Sequence, residues 1–221
     1  MSWEIFSALI SNGDFVKLTT SVSTKQILTS IEQYNTEWVQ YNPNKPHIPR
    51  YSLAVTSLDG KFNQSKGSLR KSDQQKEEAL KSKVTLYSEL DFKIPTPLYN
   101  SSQELQRILT PWKNFLGRTQ FIKIPPGGYF PPHVDEAMSR SPETFRLVVP
   151  IKNVNPPNFY WMHGDYKNHN VLNWIEGGIY FLNTLKTHSL FNPGSSDSIW
   201  LVMNIEMCMD AIIEMKRQIY T

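Results

Sequence analysis

The chain has 221 residues and a formal net charge of +3, and 39% of its residues are hydrophobic while 19% are charged. This size and composition predict one ordinary globular domain with enough chain to bury a full core. The absence of 18 consecutive apolar residues argues against a transmembrane helix, and we expect no secretory signal, because no basic stretch precedes an apolar one at the N-terminus. A single cysteine, Cys208, excludes an internal disulfide. Together these features favour a reducing, cytoplasmic setting.

Residues 1–116 are predicted to form a scaffold of helices and strands. Residues 14–18 predict an edge strand, and a helix is predicted to begin at Ser23, with Gln26 completing a capping box and apolar residues at helical spacing up to Trp38. Residues 51–58 alternate as a strand. Two more helices are predicted, over residues 73–87 and from a capping box at residues 101–104 towards Pro111.

Residues 61–83 concentrate positive charge, with seven basic residues against three acidic ones. Such a segment is typical either of a basic arm that binds nucleic acid or of a solvated loop that leads into a solvated helix. No aromatic residue follows Phe62 in this segment, so the stacking platforms for single-stranded nucleic acid are missing. We therefore interpret it as a solvated surface, and a nucleic-acid partner is not expected.

The second half of the chain is rich in short strands. They are predicted over residues 121–124, 145–151, 177–181 and 198–204, and turns rich in proline, glycine and asparagine separate them. This pattern is typical of a barrel or jelly roll. A C-terminal helix is predicted over residues 210–218, and the nearby methionines are interpreted as core packing.

The candidate chemistry centres on the triplet His133-Val134-Asp135. Residues two apart in a strand point to the same face, so His133 and Asp135 can bind one ion while Val134 packs behind them. His188 is the candidate third ligand, and two imidazoles with one carboxylate on one face of a metal are typical of non-haem Fe(II) oxygenases. The alternative is a loop histidine beside a turn aspartate. A second pair, His163 and Asp165, is disfavoured because the intervening glycine suits a hairpin turn, in which the side chains diverge.

Three runs carry a family resemblance: GRTQFIKIPPGGYFPPHVD (residues 117–135), FRLVVPI (145–151) and GGIYFLNTLKTHSLFN (177–192). In order and content they resemble the aspartyl/asparaginyl β-hydroxylase family and its proline-hydroxylase relatives, within the Fe(II)/2-oxoglutarate-dependent oxygenases. The resemblance implies a mainly β protein with flanking helices (α+β), built on a double-stranded β-helix, a jelly-roll or cupin-like barrel. It also implies Fe(II), O₂ and the co-substrate 2-oxoglutarate, with His133, Asp135 and His188 as catalytic metal ligands.

The predicted organisation is a single oxygenase domain, 1–221. Residues 1–116 would brace the barrel, residues 117–204 would form its metal-binding core, and residues 205–221 would add a C-terminal helix. Asn183 and Asn192 are interpreted either as groups that fix the ring of His188 or as turn residues.

Binding 2-oxoglutarate requires a fixed cation for its distal carboxylate, and arginine is the best partner. Arg146 is the candidate, because it is the one charged side chain on its face of a hydrophobic strand; its alternative is an ion pair with Glu143. Related sequences carry an arginine about ten residues after the distal histidine, where this chain has Ser198. Either Arg146 anchors the co-substrate, helped by Lys123 or Arg118 and a hydrogen bond from Ser198, or 2-oxoglutarate binds differently, weakly or not at all.

Arg50 precedes a strand and could reach a carboxylate. In such a proline-rich approach a surface arginine is the commoner outcome, so its side chain is expected at the surface.

Three functions remain open from the sequence. The first is a dioxygenase that hydroxylates a C–H bond of an amino acid or a peptidyl residue, so that the partner is a small-molecule or peptidyl substrate. The second is a cupin-like enzyme that uses its metal as a Lewis acid without 2-oxoglutarate. The third is a non-catalytic barrel that serves as a binding or assembly module.

Overall fold

The computed structural model describes residues 2–43, 45–62, 87–135, 143–154, 159–163 and 168–220. In these ranges the α-helices are α1 (Ser2–Ile10), α2 (Thr24–Glu32), α3 (Pro97–Ser101), α4 (Gln103–Leu109) and α5 (Met209–Tyr220). The strands of the N-terminal half are β1 (Phe15–Ser21), β2 (Val39–Gln40), β3 (Tyr51–Ala54), β4 (Thr56–Ser57) and β5 (Ile94–Pro95). Those of the C-terminal half are β6 (Leu116–Ile124), β7 (Tyr129–His133), β8 (Thr144–Lys152), β9 (Phe159–His163), β10 (Asn168–Val171), β11 (Gly178–Leu182), β12 (His188–Phe191) and β13 (Ser198–Glu206).

The strands form a large sheet and a small sheet. The large sheet has the order β1-β11-β8-β13-β6-β3-β2, the small sheet has the order β10-β9-β12-β7, and β4 pairs separately with β5. From β6 to β13 the chain passes back and forth between the two sheets, except that β9 and β10 are consecutive strands of the small sheet, and the strand pairings are antiparallel. This arrangement is a double-stranded β-helix, which confirms the fold class predicted from the sequence.

Strand β13 shows why this half folds as two layers. Its alternate residues face opposite sides of the large sheet. Trp200 and Val202 pack between the two sheets in a cluster that includes Phe130 of β7. Leu201 and Met203 belong instead to the cluster on the other face of the large sheet. Both faces are buried, which explains the almost continuous apolar sequence of β13.

Helices cover that other face. The cluster includes Ile27 and Ile31 of α2, Leu105 of α4, and Ile212 and Met215 of α5. The apolar stripe of α2 therefore braces the barrel, as its spacing predicted. No helix in the described parts of the chain is long and apolar enough to cross a membrane.

The beginning and end of α2 differ from the prediction. Ser23 is its N-cap residue but makes no capping hydrogen bond with its side chain. Its backbone N–H instead donates to Oε1 of Glu104, at 2.6 Å, and Glu104 also pairs with Arg107. The helix ends at Glu32 rather than near Trp38, because a short 3₁₀ turn over Asn35–Glu37 follows. A tertiary carboxylate has thus replaced the local capping box.

Two other details differ from the sequence expectations. The N-cap of α4 is Ser102, whose Oγ accepts a hydrogen bond from the Leu105 backbone N–H, so the cap lies one residue later than predicted. Among the C-terminal methionines, Met209 is half exposed, whereas Met207 and Met215 are buried. Residues 73–86 of the predicted helix and most of the basic segment 61–83 lie outside the described residues. The same holds for Gly164 and Asp165 of the second His-x-Asp pair.

Strand β7 carries the first ligand candidate and contains Pro131 and Pro132. A proline cannot donate a hydrogen bond to a neighbouring strand, so it is tolerated at a sheet edge, and β7 is an edge strand of the small sheet. The turn before it approaches the chain ahead of β3 closely. A Cβ atom added to Gly128 would lie 2.5 Å from the carbonyl oxygen of Pro49. Glycine at 128 therefore allows the segment around Pro49 to lie against the start of β7.

Candidate metal centre

Strand pairing brings the two histidines together. His133 is the last residue of β7 and His188 is the first of β12, and the two residues lie directly opposite each other in the antiparallel pair. Their ring centres are 4.3 Å apart. A pair of residues 55 positions apart in sequence is thus placed side by side by one strand register.

The third candidate, Asp135, lies just beyond the end of β7. Its backbone N–H donates to the carbonyl of Thr184, at 3.1 Å, in the loop before His188. Its Oδ1 lies 3.8 Å from Nε2 of His133, and the side chain is 8% exposed. The ligand atoms of Asp135 and the two histidines all lie within 4.8 Å of one another. The sequence thus predicted the cluster, but not how Asp135 reaches it: the residue lies outside the strand, and Val134 is 38% exposed rather than packed behind the ligands.

Backbone carbonyls orient both rings. Nδ1 of His133 lies 2.8 Å from the carbonyl oxygen of Pro131, and Nδ1 of His188 lies 2.9 Å from that of Lys186. A carbonyl oxygen only accepts hydrogen bonds, so Nδ1 is the protonated nitrogen in each neutral ring. The lone pair is therefore on Nε2, the atom that would bind a metal.

Arg146 of β8 forms an ion pair with Asp135, the third ligand candidate. Its guanidinium NH1 lies 2.9 Å from Oδ2 of Asp135, and the arginine side chain is 21% exposed. Burial lowers the pKa of Arg146, but the carboxylates of Asp135 and Glu89 outweigh it and raise the pKa above its ordinary value. The alternative pairing with Glu143 is not seen, since Glu143 accepts a hydrogen bond from Ser88. Oδ2 of Asp135 thus lies beside Arg146, while Oδ1 is the oxygen that lies 3.8 Å from Nε2 of His133.

Asp14 fixes the loop between β11 and β12. Its side chain accepts a hydrogen bond from Nδ2 of Asn183, at 2.7 Å, and forms an ion pair with Lys186. This loop supplies the carbonyls that hold Asp135 and His188. Asn183 and Asn192 make no hydrogen bond to the His188 ring, because Asn192 bonds backbone groups around residues 124 and 194–196. The interpretation of both asparagines as turn residues is the one that agrees with these contacts.

The ligand trio opens into an apolar cavity between the two sheets. About 550 Å³ of space that no protein atom fills adjoins the ligands, and this figure includes open solvent. The lining residues are His133, His188, Arg146, Thr184, Tyr41, Phe130, Leu190, Ile122, Val148, Leu182, Trp200 and Val202. A cavity with apolar walls and a few polar groups at one place is the usual form of a small-molecule site.

The other proposed anchors occupy different places. Ser198 is fully buried, and its Oγ accepts a hydrogen bond from Nε1 of Trp200, at 2.8 Å. Lys123 points to the far face of the large sheet, where its Nζ lies 4.5 Å from the ring centre of Trp38. Arg118 is buried near Phe92 and is not among the residues that line the cavity. Arg50, expected at the surface, is only 5% exposed.

Burial, with a contribution from the neighbouring His188, lowers the pKa of His133 from 6.5 to about 4 in the metal-free protein. Because the folded state holds His133 neutral, the unfolded chain binds more protons between pH 6.5 and pH 4. The free energy of unfolding is therefore not reduced by His133 above pH 6.5, where the ring is neutral in both states. It decreases as the pH falls towards 4. At about 1.4 kcal/mol per pKa unit, the free energy of unfolding should fall by up to about 3 kcal/mol.

Urea unfolding of the metal-free protein at pH 7 and pH 4.5 measures this loss. The His133→Gln variant removes the titrating group and should show a smaller decrease than the unsubstituted chain. Equal decreases in the two proteins would show that His133 keeps an ordinary pKa in the folded state.

Of the comparisons with known proteins, the one with solved structures finds a similar fold. No family model and no curated protein matches the sequence. Among solved structures, HygX from Streptomyces hygroscopicus, with nickel, 2-oxoglutarate and hygromycin B bound, aligns with a TM-score of 0.50 at 9% identity, over 93% of this chain and 86% of that one. The two chains share a fold.

Two further structures align with lower scores. A Pseudomonas putida prolyl-4-hydroxylase has a TM-score of 0.48 at 11% identity, over 93% of this chain and 98% of that one. A Burkholderia pseudomallei oxidoreductase of the 2OG-Fe(II) oxygenase family has a TM-score of 0.46 at 12% identity, over 92% and 90%. In this chain, two imidazoles with Nε2 lone pairs and one carboxylate beside an open cavity fit Fe(II) and a 2-oxo acid.

Proposed function

We propose that the chain is an Fe(II)- and 2-oxoglutarate-dependent dioxygenase that hydroxylates a C–H bond of an amino acid or a peptidyl residue. The observation that carries the proposal is the cluster of His133, Asp135 and His188, whose ligand atoms lie within 4.8 Å of one another, two of them lining an apolar cavity. Two histidines and one carboxylate, with the opposite side left open, form the donor set of non-haem Fe(II) oxygenases. The resemblance to aspartyl/asparaginyl and proline hydroxylases supports the substrate class.

His133, Asp135 and His188 would hold the iron, with the 2-oxo acid beside them in the cavity. When bound, the iron and 2-oxoglutarate supply the oxidation, in which O₂ gives one oxygen atom to the substrate C–H bond and the other to succinate as CO₂ leaves.

The chain's own residues prepare the site for that chemistry. The carbonyls of Pro131 and Lys186 keep Nδ1 of the two histidines protonated, so that Nε2 is the atom available to bind the metal. Arg146 holds Oδ2 of Asp135 at 2.9 Å and orients the carboxylate. The apolar walls around the site lower the local dielectric, which strengthens electrostatic interactions there.

Anaerobic addition of 2-oxoglutarate to the Fe(II)-loaded protein tests the proposal. We expect a weak visible charge-transfer band that saturates with co-substrate, and succinate formation once O₂ is admitted. Candidate amino acids and peptides are then compared by how far each one increases succinate formation. Iron binding without the band would favour a metal enzyme that works without 2-oxoglutarate. A protein that binds no iron would instead be a binding module.

A further inference from the structure

Arg50 is a buried cation, and its contacts in the described residues include no group that balances its charge. Its guanidinium carbon lies 4.2 Å from the ring centre of Phe130 and 5.1 Å from that of Tyr41. Within the described residues, Nε of Arg50 has no hydrogen-bond partner and no carboxylate pairs with the side chain. Burial lowers its pKa, while Tyr41 and Tyr129 act in the opposite direction. A buried charge without a counter-charge is costly, so it implies an anion that arrives from outside.

Arg50 is not itself among the residues that line the cavity, but it packs against two of them. Phe130 and Tyr41, the two rings that the guanidinium contacts, both line the cavity. The ring centre of Phe130 is 6.1 Å from that of His133 and 4.2 Å from the guanidinium carbon, so the guanidinium lies at most about 10 Å from the His133 ring. A five-carbon 2-oxo diacid spans roughly 5 Å from its oxo carbon to its distal carboxylate. With a metal bond at one end and a hydrogen bond at the other, it reaches across this gap.

Arg50 also lies at the same end of β6 as Ser198, the position at which related sequences carry an arginine. On one side of β6, Ser198 of β13 pairs with Ile124, and on the other side Tyr51 of β3 pairs with Lys123. The residue before Tyr51 therefore approaches the same end of β6 as Ser198 does. The hydroxyl of Ser198 is already bonded to Trp200.

We propose that Arg50 binds the distal carboxylate of the 2-oxo acid co-substrate, in place of the arginine that related sequences carry at the position of Ser198. This assignment rests on the proposed function. The planar guanidinium can hold a carboxylate with two parallel hydrogen bonds, and the low dielectric of the buried site strengthens them. The two other candidate arginines are placed differently. Arg146 pairs with Asp135, and Arg118 lies at the opposite end of β6, where its carbonyl bonds Asn204.

Two ligands that differ only in the distal carboxylate test the assignment. The affinities of 2-oxoglutarate and 2-oxopentanoate for the Mn(II)-loaded protein are measured by anaerobic calorimetry. The unsubstituted chain should prefer 2-oxoglutarate, and Arg50→Met should weaken 2-oxoglutarate binding by about 100-fold while leaving 2-oxopentanoate binding unchanged. Arg50→Lys keeps the charge but loses the planar pair of N–H donors, so we expect the affinity for 2-oxoglutarate to fall by about 10-fold. Mn(II) affinity should not change in either variant.

Lys123→Met is the matched control, because its ammonium also packs on aromatic rings, 4.5 Å from Trp38 and 5.6 Å from Tyr51, but on the face away from the cavity. Its preference for 2-oxoglutarate should equal that of the unsubstituted chain. If either Arg50 variant keeps the full preference, the assignment is wrong while the proposed function stands. If the unsubstituted, Mn(II)-loaded chain binds neither acid, the proposed function fails and the assignment fails with it. Should Arg50→Met not fold, Arg50→Lys still decides between these outcomes.

Discussion

The His188→Ala variant should lose divalent-metal binding almost completely. Its affinity for Fe(II) or Mn(II) should be at least about 100-fold lower, which exceeds the usual effect of changing a residue that only orients a metal ligand. The reason is geometric. His188 lies opposite His133 in the β7–β12 pair, and with Asp135 the three supply ligand atoms within 4.8 Å of one another. Removing one imidazole leaves a two-ligand site that cannot hold the ion against water. The same loss should remove 2-oxoglutarate binding and succinate formation.

Equilibrium dialysis or calorimetry with Mn(II) measures this effect without turnover. His47→Ala is the matched control, since His47 is exposed and far from the cluster in sequence, and its metal affinity should be unchanged. Full metal binding in His188→Ala would show that the three residues do not form the metal site. A chain that binds no metal in any form would be the non-catalytic barrel that the sequence left open.

The strands that could be predicted from sequence are those whose residues are compatible with few other local structures. Strand β13 is apolar on both faces because it lies between β8 and β6 and is covered on each side. Proline or glycine turns precede β13 and β11, and another follows β6. His133 and His188 could be found because two histidines and one aspartate, with a turn ahead of the first, narrow the possible ligand sets.

The features that the sequence did not indicate depend on contacts between distant segments. The burial of Arg50 follows from the close approach of Pro49 to Gly128, and no periodicity near residue 50 signals it. The cap of α2 is a carboxylate 81 residues away, at Glu104. Asp135 is placed by the carbonyl of Thr184, which any residue could supply. Backbone groups leave no sequence signature, so the loop that orients His188 through Lys186 could not be predicted.

Arg146→Met should weaken metal binding by about 10- to 100-fold, the usual effect of losing a partner that orients a metal ligand. Arg146 lies 2.9 Å from Oδ2 of Asp135, a carboxylate that is 8% exposed. Without the guanidinium, the carboxylate is free to rotate away from the two histidines. Calorimetry with Mn(II) measures the loss. Arg217→Met is the control, because Arg217 forms an exposed ion pair with Glu214 at 2.9 Å and should have no effect on metal affinity.

The same variant separates the two possible anchors of the co-substrate. If Arg50 binds the distal carboxylate, metal-saturated Arg146→Met should prefer 2-oxoglutarate over 2-oxopentanoate as strongly as the unsubstituted chain does. If Arg146 is the anchor, as its place on β8 predicted, that preference should disappear while metal affinity changes little. The two arginines thus differ in which measurement they change: Arg146 should act on the metal through Asp135, and Arg50 on the ligand through its carboxylate. A variant that lost both properties would show that Arg146 contacts the metal ligand and the co-substrate together.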